Sequence, residues 1–443
     1  MPKELIQQLL VENPSQLNLL FADAMPADLA DALASLSDEE LLQLLPHLSP
    51  EMLAIVVQEF DEMQANRLLS LVPPTLALEI VESMSADDAV DLINWLADDL
   101  RERILAALPA ASPLRHLLRY EEESSGGLMT TEYLTVRPEW TVEKALQVIR
   151  AEAERAETIY YTYVINRSGR LVGVLSLREL VLAPPGAQIA SIMRTNPVQV
   201  TDTEDQEQVA ALFRRYDLLA LPVVDEQGVL KGIVTSDDII DVVDEEATED
   251  IQRMAAMQPS DTPYLATSIF RLARQRFGWL LILMISALFT GRIMLHYEEM
   301  LSQVVLLAVF VPMLMDTGGN AGSQASTLVI RGLALGDIQL KDWWRVFLRE
   351  LAVSGLVSLG LAITNFIRIL FLEKYPADIA LIVSLTLMIT VILAKLVGSM
   401  LPMLAQLVKL DPAVMAGPLI TTVVDALALI TYFRIAGTLL SGS

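Results

Sequence analysis

The sequence predicts a multidomain protein: an α-helical, superhelical N domain, an α/β tandem repeat and a five-helix transmembrane α domain. Three observations lead there. Mean hydropathy over the chain is +0.45, above that of ordinary soluble proteins, and the apolar runs concentrate beyond Phe277. Charge divides at the same place: residues 1–262 hold 46 acids against 18 bases, net −28, and residues 263–443 hold 10 against 13, net +3. A twelve-residue pattern in the middle of the chain returns 59 residues later.

Residues 1–127 are expected to form the helical N domain. Met25-Pro26, Ser49-Pro50, Pro73-Pro74 and Met84-Ser85 each precede an acid-bearing stretch with an apolar stripe. Proline near the first helical position, a serine cap and acids in the first turn are helix-start signals. Their spacing predicts stacked helical hairpins with a loose repeat of roughly two dozen residues.

Residues 128–245 carry the clearer repeat. Gly169-Arg-Leu-Val-Gly173-Val-Leu-Ser-Leu-Arg-Glu-Leu180 returns as Gly228-Val-Leu-Lys-Gly232-Ile-Val-Thr-Ser-Asp-Asp-Ile239, each after a β-rich run. Upstream, the segment from Met129 to Val136 corresponds to that from Met193 to Val200. The two copies resemble a tandem pair of CBS domains, a module that regulates many unrelated proteins.

Residues 246–276 are expected to form a connecting plug helix, acidic at Glu249 and Asp250 and basic at Arg271, Arg274 and Arg276. Beyond it, residues 277–443 hold five candidate spans, at about 277–296, 301–330, 347–372, 378–404 and 413–440, each of the length needed to cross the hydrocarbon core. Arg331, Lys341, Arg345 and Arg349 mark one loop as cytoplasmic. This predicts a multi-pass protein of the cell (inner) membrane, N-terminus cytoplasmic and C-terminus outside. The start of the chain lacks the pattern of a cleaved signal peptide, which agrees.

The chemistry-bearing residues are oxygen donors. There is no cysteine, and His47, His116 and His296 lack metal-ligand spacing, so soft thiolate or imidazole sites are not expected. The acidic half repels nucleic acid and anionic headgroups and attracts cations, although acidity also serves solubility. Within the spans, Asp316 and Asp425 are ionisable groups at membrane depth, a functional signal by default. Gly318 and Gly319 are expected to break the second span. Pro418 is expected to free the Val414 carbonyl in the fifth. Asn320, Gln324, Thr421 and Thr422 add oxygens on nearby turns. One carboxylate among neutral oxygens suits a Mg²⁺ ion that keeps most of its water.

The run Pro312–Gln324 with its Gly-Gly-Asn-x-Gly-x-Gln core, then Arg331-Gly-Leu-Ala and Asp411-Pro412 leading to Pro418, Thr422 and Asp425, resembles the MgtE family of magnesium channels. The order of parts agrees over essentially the whole chain. The resemblance implies a homodimer in the bilayer with a pore on the dimer axis, selective for Mg²⁺ and permissive towards Co²⁺ or Mn²⁺. Asp425 matches the family's pore acid and Asn320 its gate-lining asparagine. Carbonyls near Gly318 and Thr421 match pore-lining positions. Gly417 departs from the asparagine a relative can carry there. The resemblance also implies a cytosolic Mg²⁺ sensor: Asp87 and Asp91 on the N domain, Asp205, Glu207, Asp217 and Asp238 on the CBS pair, and Glu249 and Asp250 on the plug. Like charges on apposed domains repel until bound cations neutralise them, so high cytosolic Mg²⁺ would close the pore. Arg178 and Asp237 are candidate contacts for a nucleotide such as ATP at the CBS pair.

Other classes fit less of the sequence. A membrane-tethered sensor needs no acid at mid-span, and an anion channel should present bases or helix N-termini to its ion. No phosphate-binding loop and no nucleophile–base set suggests an enzyme.

Overall fold

The computed structural model describes residues 6, 21, 24–260, 262, 264–265, 267–415 and 417–440. The chain divides into two compact units, Met1–Val243 and Asp244–Ser443.

The first unit opens with short helices: α1 (Pro26–Ala34), α2 (Asp38–Leu44), α3 (Pro50–Gln58), α4 (Glu62–Leu71), α5 (Pro74–Glu82), α6 (Ala86–Trp95), α7 (Asp98–Ala107) and α8 (Leu114–Leu117). From α1 to α7 the odd-numbered helices start at 26, 50, 74 and 98 and the even-numbered ones at 38, 62 and 86, a period of 24 residues. Ser37, Ser49 and Asp61 accept the capping amide of α2, α3 and α4, and Pro26, Pro50 and Pro74 stand in the first turns of α1, α3 and α5. Each cap contributes about 1 kcal/mol. Helices of at most ten residues do not persist alone in water, so stability comes from stacking: α1 on α3, α3 on α5 and α5 on α7, with α2 on α4 and α4 on α6 beside them.

The repeat folds as two small sheets. In the first, β1 (Thr135–Val136) runs parallel to β2 (Tyr161–Ile165), which is antiparallel to β3 (Leu171–Ser176). In the second, β5 (Val200–Thr201), β6 (Ala220–Val224) and β7 (Leu230–Thr235) repeat that pattern. Helices α9 (Val142–Glu152), α10 (Leu177–Leu182), α11 (Ile189–Ile192) and α12 (Gln206–Tyr216) connect or cover them. The two copies cross over. β4 (Arg194–Thr195), which leads into the second copy, pairs with β3 of the first. Thr130, which leads into the first copy, exchanges hydrogen bonds of 2.8 and 3.0 Å with Ile233 of β7. The repeated glycine is what lets each lead-in segment approach. A Cβ at Gly173 would lie 2.8 Å from the Met193 sulfur, and one at Gly232 would lie 2.7 Å from the Met129 sulfur.

The helical stack and the second repeat share one core. Buried residues run from Leu29 through Val57, Leu69, Ile80 and Ile93 to Val209, Phe213, Leu221 and Ile239. The N domain is therefore packed on the repeat, not tethered to it.

The second unit begins within α13 (Ser236–Met254), one helix that starts at the end of β7. This corrects the single connecting helix expected over 246–276. The helix ends at Met254, the described residues of the following stretch are not helical, and α14 (Ile269–His296) carries Arg271, Arg274 and Arg276 in its own first turns. After α15 (Glu298–Gln303) come α16 (Leu306–Ala334), α17 (Trp343–Ile367), α18 (Ala377–Leu407) and α19 (Gly417–Leu440). Among the described residues, four stretches, Ile269–His296, Leu340–Leu372, Ala377–Leu407 and Pro412–Leu440, are long and apolar enough to cross a membrane. The remaining long helix, α16, has 29 residues, roughly 43 Å at 1.5 Å per residue, but is polar from Asp316 to Ser326. It packs against α18 and α19.

Two expected helix breaks do not occur. α16 runs unbroken through Gly318 and Gly319, because those glycines serve close packing. A Cβ at Gly318 would lie 2.8 Å from Val424 Cγ1 and 2.9 Å from Thr390 Cγ2, and one at Gly322 would lie 2.7 Å from Ile420 Cγ2. Small residues that admit a neighbouring backbone are the usual means of joining helices in lipid. Unbroken hydrogen bonding is also favoured where no water can replace it. Pro418 sits in the first turn of α19, where its missing N–H costs nothing, and Val414 belongs to the 3-10 turn Pro412–Met415 before that helix. The interruption precedes the fifth helix; it does not divide it.

Candidate ion path and carboxylate cluster

In the membrane unit, the helical period separates α16 into two faces. Gly318, Gly319, Gly322 and Ser326 are buried, while Val309, Pro312, Asp316, Asn320, Gln324 and Leu328, three or four residues apart, are exposed in the single chain. One stripe of this helix thus carries a carboxylate and two amides at the level of apolar neighbours. Asp425 of α19 lies across from it. One of its carboxylate oxygens is buried without a hydrogen-bond partner, and Asp316 is the charge that acts on it.

Two threonines flank this acid. Thr421 Oγ1 donates to the Gly417 carbonyl and Thr422 Oγ1 to that of Pro418, each at 3.0 Å. With the proton spent on the backbone, each hydroxyl oxygen turns lone pairs outward. Thr421 packs on Gly319 of α16, whereas Thr422 Oγ1 lies 3.5 Å from Ser286 Oγ of α14. The two expected pore-lining threonines therefore address different helices. Gly417 has a φ of +33°, and a Cβ there would lie 2.8 Å from the Met254 carbonyl at the end of α13.

That contact belongs to a dock between α13 and the end of α16 and the start of α19. Met254 packs with Ile330 and Ala413, and Arg253 forms ion pairs with Glu249 on its own helix and with Asp411 before α19. Asp250 is pushed up to about 6 by burial first, then by Asp411 and Glu246, against the opposing pull of Arg253. Of the two acids expected on the plug, Glu249 is in an ion pair and Asp250 is crowded by like charge.

In the first unit, Asp87 of α6 is only 6% exposed and one of its oxygens is buried without a partner. Burial first, then Asp238, Asp88 and Glu157, hold its carboxyl well above the usual range. Asp238, in the first turn of α13, is raised to about 6 by burial despite accepting from the Thr235 hydroxyl at 2.7 Å. Glu157 reaches about 7 through burial, then Asp237, Asp238, Asp88 and Glu132. Asp88 is also raised, by burial, although Gln58 Nε2 donates to it at 2.6 Å and Ser85 through its hydroxyl. Five carboxylates from the N domain and the repeat therefore repel one another across one packed boundary. Asp88 and Glu157 escaped the sequence reading, since nothing local distinguishes them from the many other acids.

The remaining expected sensor acids lie elsewhere or play local parts. Asp91 is on α6 and half-buried, and Glu207 is exposed. Asp205 caps α12 by accepting from the Glu207 amide at 2.9 Å. Asp217 ends the same helix with a φ of +50°, a left-handed position where aspartate is tolerated. Arg178 and Asp237 are exposed in equivalent first turns of α10 and α13. Among the described residues, no three acidic or histidine side chains converge as a ligand set within the single chain. The unpartnered, buried Asp87 oxygen and its surplus of like charge nevertheless fit a hydrated hard cation, which needs only one or two carboxylates.

Comparison with known proteins adds three matches to family models: the MgtE intracellular N domain over residues 24–123, the CBS domain over 126–186 and 189–245, and the MgtE divalent cation transporter over 311–435. The chain is 38% identical to magnesium transporter MgtE of Thermus thermophilus, with 94% of this chain and 99% of that one covered. It is 35% identical to magnesium transporter MgtE of Bacillus subtilis, with 94% and 92% covered. The crystal structure of the soluble part of a magnesium transporter superposes with a TM-score of 0.53 at 35% identity, covering 55% of this chain and 98% of that one.

Proposed function

The chain belongs to the MgtE family of divalent cation transporters, and on that premise we propose that it is a Mg²⁺ channel closed by Mg²⁺ on its cytosolic side. Flow follows the electrochemical gradient, inward in a negative-inside cell.

The observation that carries the ion path is the exposed stripe of Asp316, Asn320 and Gln324 beside Asp425, whose buried oxygen has no partner. Facing lipid, such groups would cost several kcal/mol. Facing a second copy across a two-fold axis, they line water, and the protein is a homodimer with two Asp425 carboxylates near the axis. A Mg²⁺ ion there keeps most of its water and meets carboxylate, amide and hydroxyl oxygens. Co²⁺ and Mn²⁺ have similar requirements and would follow. The N-terminus lies in the cytoplasm and the C-terminus outside.

The gate works by charge. Asp87, Asp88, Asp238 and Glu157 are the groups that would hold a regulatory cation, and Asp91, Glu207 and Asp217 extend the acidic surface. A bound divalent cation supplies the positive charge that these acids lack. Without it, their repulsion loosens the N domain from the CBS pair; with their charge neutralised, the two stay packed and α13 stays docked through Arg253, Glu249, Asp250 and Asp411. Arg178 and Asp237, at equivalent positions of the two repeats, are the candidate nucleotide contacts.

The test is Mg²⁺ uptake into proteoliposomes with the cytosolic-side Mg²⁺ varied and Co²⁺, Mn²⁺ and Ca²⁺ compared. Asp425→Asn should abolish flux while leaving the protein folded. Unchanged uptake by that variant removes Asp425 from the path, and flux indifferent to cytosolic-side Mg²⁺ removes the gate.

A further inference from the structure

A cavity of about 360 Å³ opens in the membrane unit where the chain after α13 meets the start of α14. Gln258 and Pro259 form one wall, and Arg274, Gly278, Trp279 and Ile282 form the other. Both walls are held in place. The Gln258 amide donates to the Gln275 carbonyl at 3.1 Å, and Ser260 exchanges hydrogen bonds of 2.9 and 3.0 Å with the Gln252 side chain.

The cavity is graded from charged to apolar. Arg274, Gly278 and Ile282 stand at successive turns of one helix face, so a guanidinium sits at the end nearer the start of α14 and an aliphatic side chain at the end nearer the membrane centre. Trp279 is the kind of residue that settles at headgroup level. A Cβ at Gly278 would meet nothing within 4 Å, so this glycine leaves open space in the wall, unlike Gly318, Gly322 and Gly398, which accept a neighbour. Arg253, also in the wall, is matched by Glu249 and Asp411, while Arg274 has no ion pair among the described residues.

We propose that this cavity holds the headgroup of an anionic phospholipid, its phosphate against Arg274 and the start of an acyl chain along Gly278 and Ile282. Charge complementarity selects that occupant. Arg274 has no ion pair among the described residues, so an anionic headgroup supplies the charge that its guanidinium otherwise lacks. A zwitterionic lipid gains no such net attraction. A free phosphate leaves the Gly278–Ile282 floor uncovered.

The experiment uses the full-length protein in detergent, titrated with phosphatidylglycerol or phosphatidylcholine and read by native mass spectrometry. Wild type should retain phosphatidylglycerol and resist its displacement by inorganic phosphate. Arg274→Gln should weaken that retention about fivefold, the effect of one basic residue at an anionic surface. Gly278→Leu should weaken it by filling the floor without a clash. Both variants should carry Mg²⁺ as wild type does in phosphatidylcholine vesicles, which reports their folding. Equal retention of the two lipids by wild type overturns the proposal whatever the variants do. So does displacement by inorganic phosphate, or binding by monomer but not dimer, which would mean that a second copy fills the cavity.

Discussion

Gly398→Ala tests how the ion path is built. Gly398 of α18 lies against the Gly322 backbone of α16: an added Cβ would overlap the Gly322 carbonyl oxygen and come 2.9 Å from its carbon and 3.0 Å from its Cα. Ordinary carbon–carbon contact begins near ~3.5 Å, so the helices must part by about half an ångström or more. Backbone atoms cannot rotate out of the way, unlike a side-chain terminus. Overpacking of this kind costs about 1–3 kcal/mol, or roughly 2–10 °C of melting temperature for a unit of this size. The same displacement moves the α16 face that carries Asp316 and Asn320, so Mg²⁺ uptake should fall together with stability. Thermal unfolding of the purified protein and uptake into proteoliposomes measure the two. Gly355→Ala is the control, because a Cβ there on α17 meets nothing within 4 Å. It should leave melting unchanged or raise it, as alanine usually does in a helix. A Gly398→Ala protein that melts and conducts like wild type would refute the claim that glycine contact positions α16.

Three further outcomes follow from the charged clusters. Asp87, Asp238 and Glu157 bind protons more tightly folded than unfolded, so the stability this confers is complete below about pH 4 and lost as pH rises through about 6 for Asp238 and about 7 for Glu157. Without Mg²⁺, the first unit should therefore melt higher near pH ~5.5 than near pH ~8, with Mg²⁺ flattening the difference; a midpoint indifferent to pH contradicts the cluster. Asp87→Asn removes a buried carboxylate with one unpartnered oxygen and should stabilise the Mg²⁺-free unit by roughly 1–3 kcal/mol while raising the Mg²⁺ needed to close the channel; a destabilised variant with an unaltered closing concentration would overturn that reading. Arg253→Gln breaks the ion pairs to Glu249 and Asp411, worth about 1 kcal/mol at this exposure, and should speed amide exchange over residues 249–254; unchanged protection there would show that the apolar contacts of Met254 suffice.

Much of the architecture was legible because it rests on local or periodic signals. The proline and serine starts announce the helical stack, and its period follows from helices too short to stand alone. The returning Gly173 and Gly232 pattern announces the crossed repeat. Asp316, Asn320 and Asp425 stand out because polar groups in apolar runs are costly wherever they point. Asp88 and Glu157 carried no such mark: an acid in an acidic domain becomes distinctive only when folding brings four others beside it. Asp205 and Asp217 also have local parts that folding reveals, since one caps α12 and the other ends it.

The sequence alone settled the order of parts, the division of charge and the residue types available to an ion, because composition and short-range periodicity do not depend on what lies opposite. The fate of Gly318, Gly319 and Pro418 did depend on it. A glycine pair within a helix can open the backbone or admit a neighbour, and the choice was made by Val424, Thr390 and Ile420 arriving at contact distance. With those side chains filling the space, α16 runs unbroken past the glycine pair, and the ion path proposed here is a stripe of side chains rather than a gap in a helix.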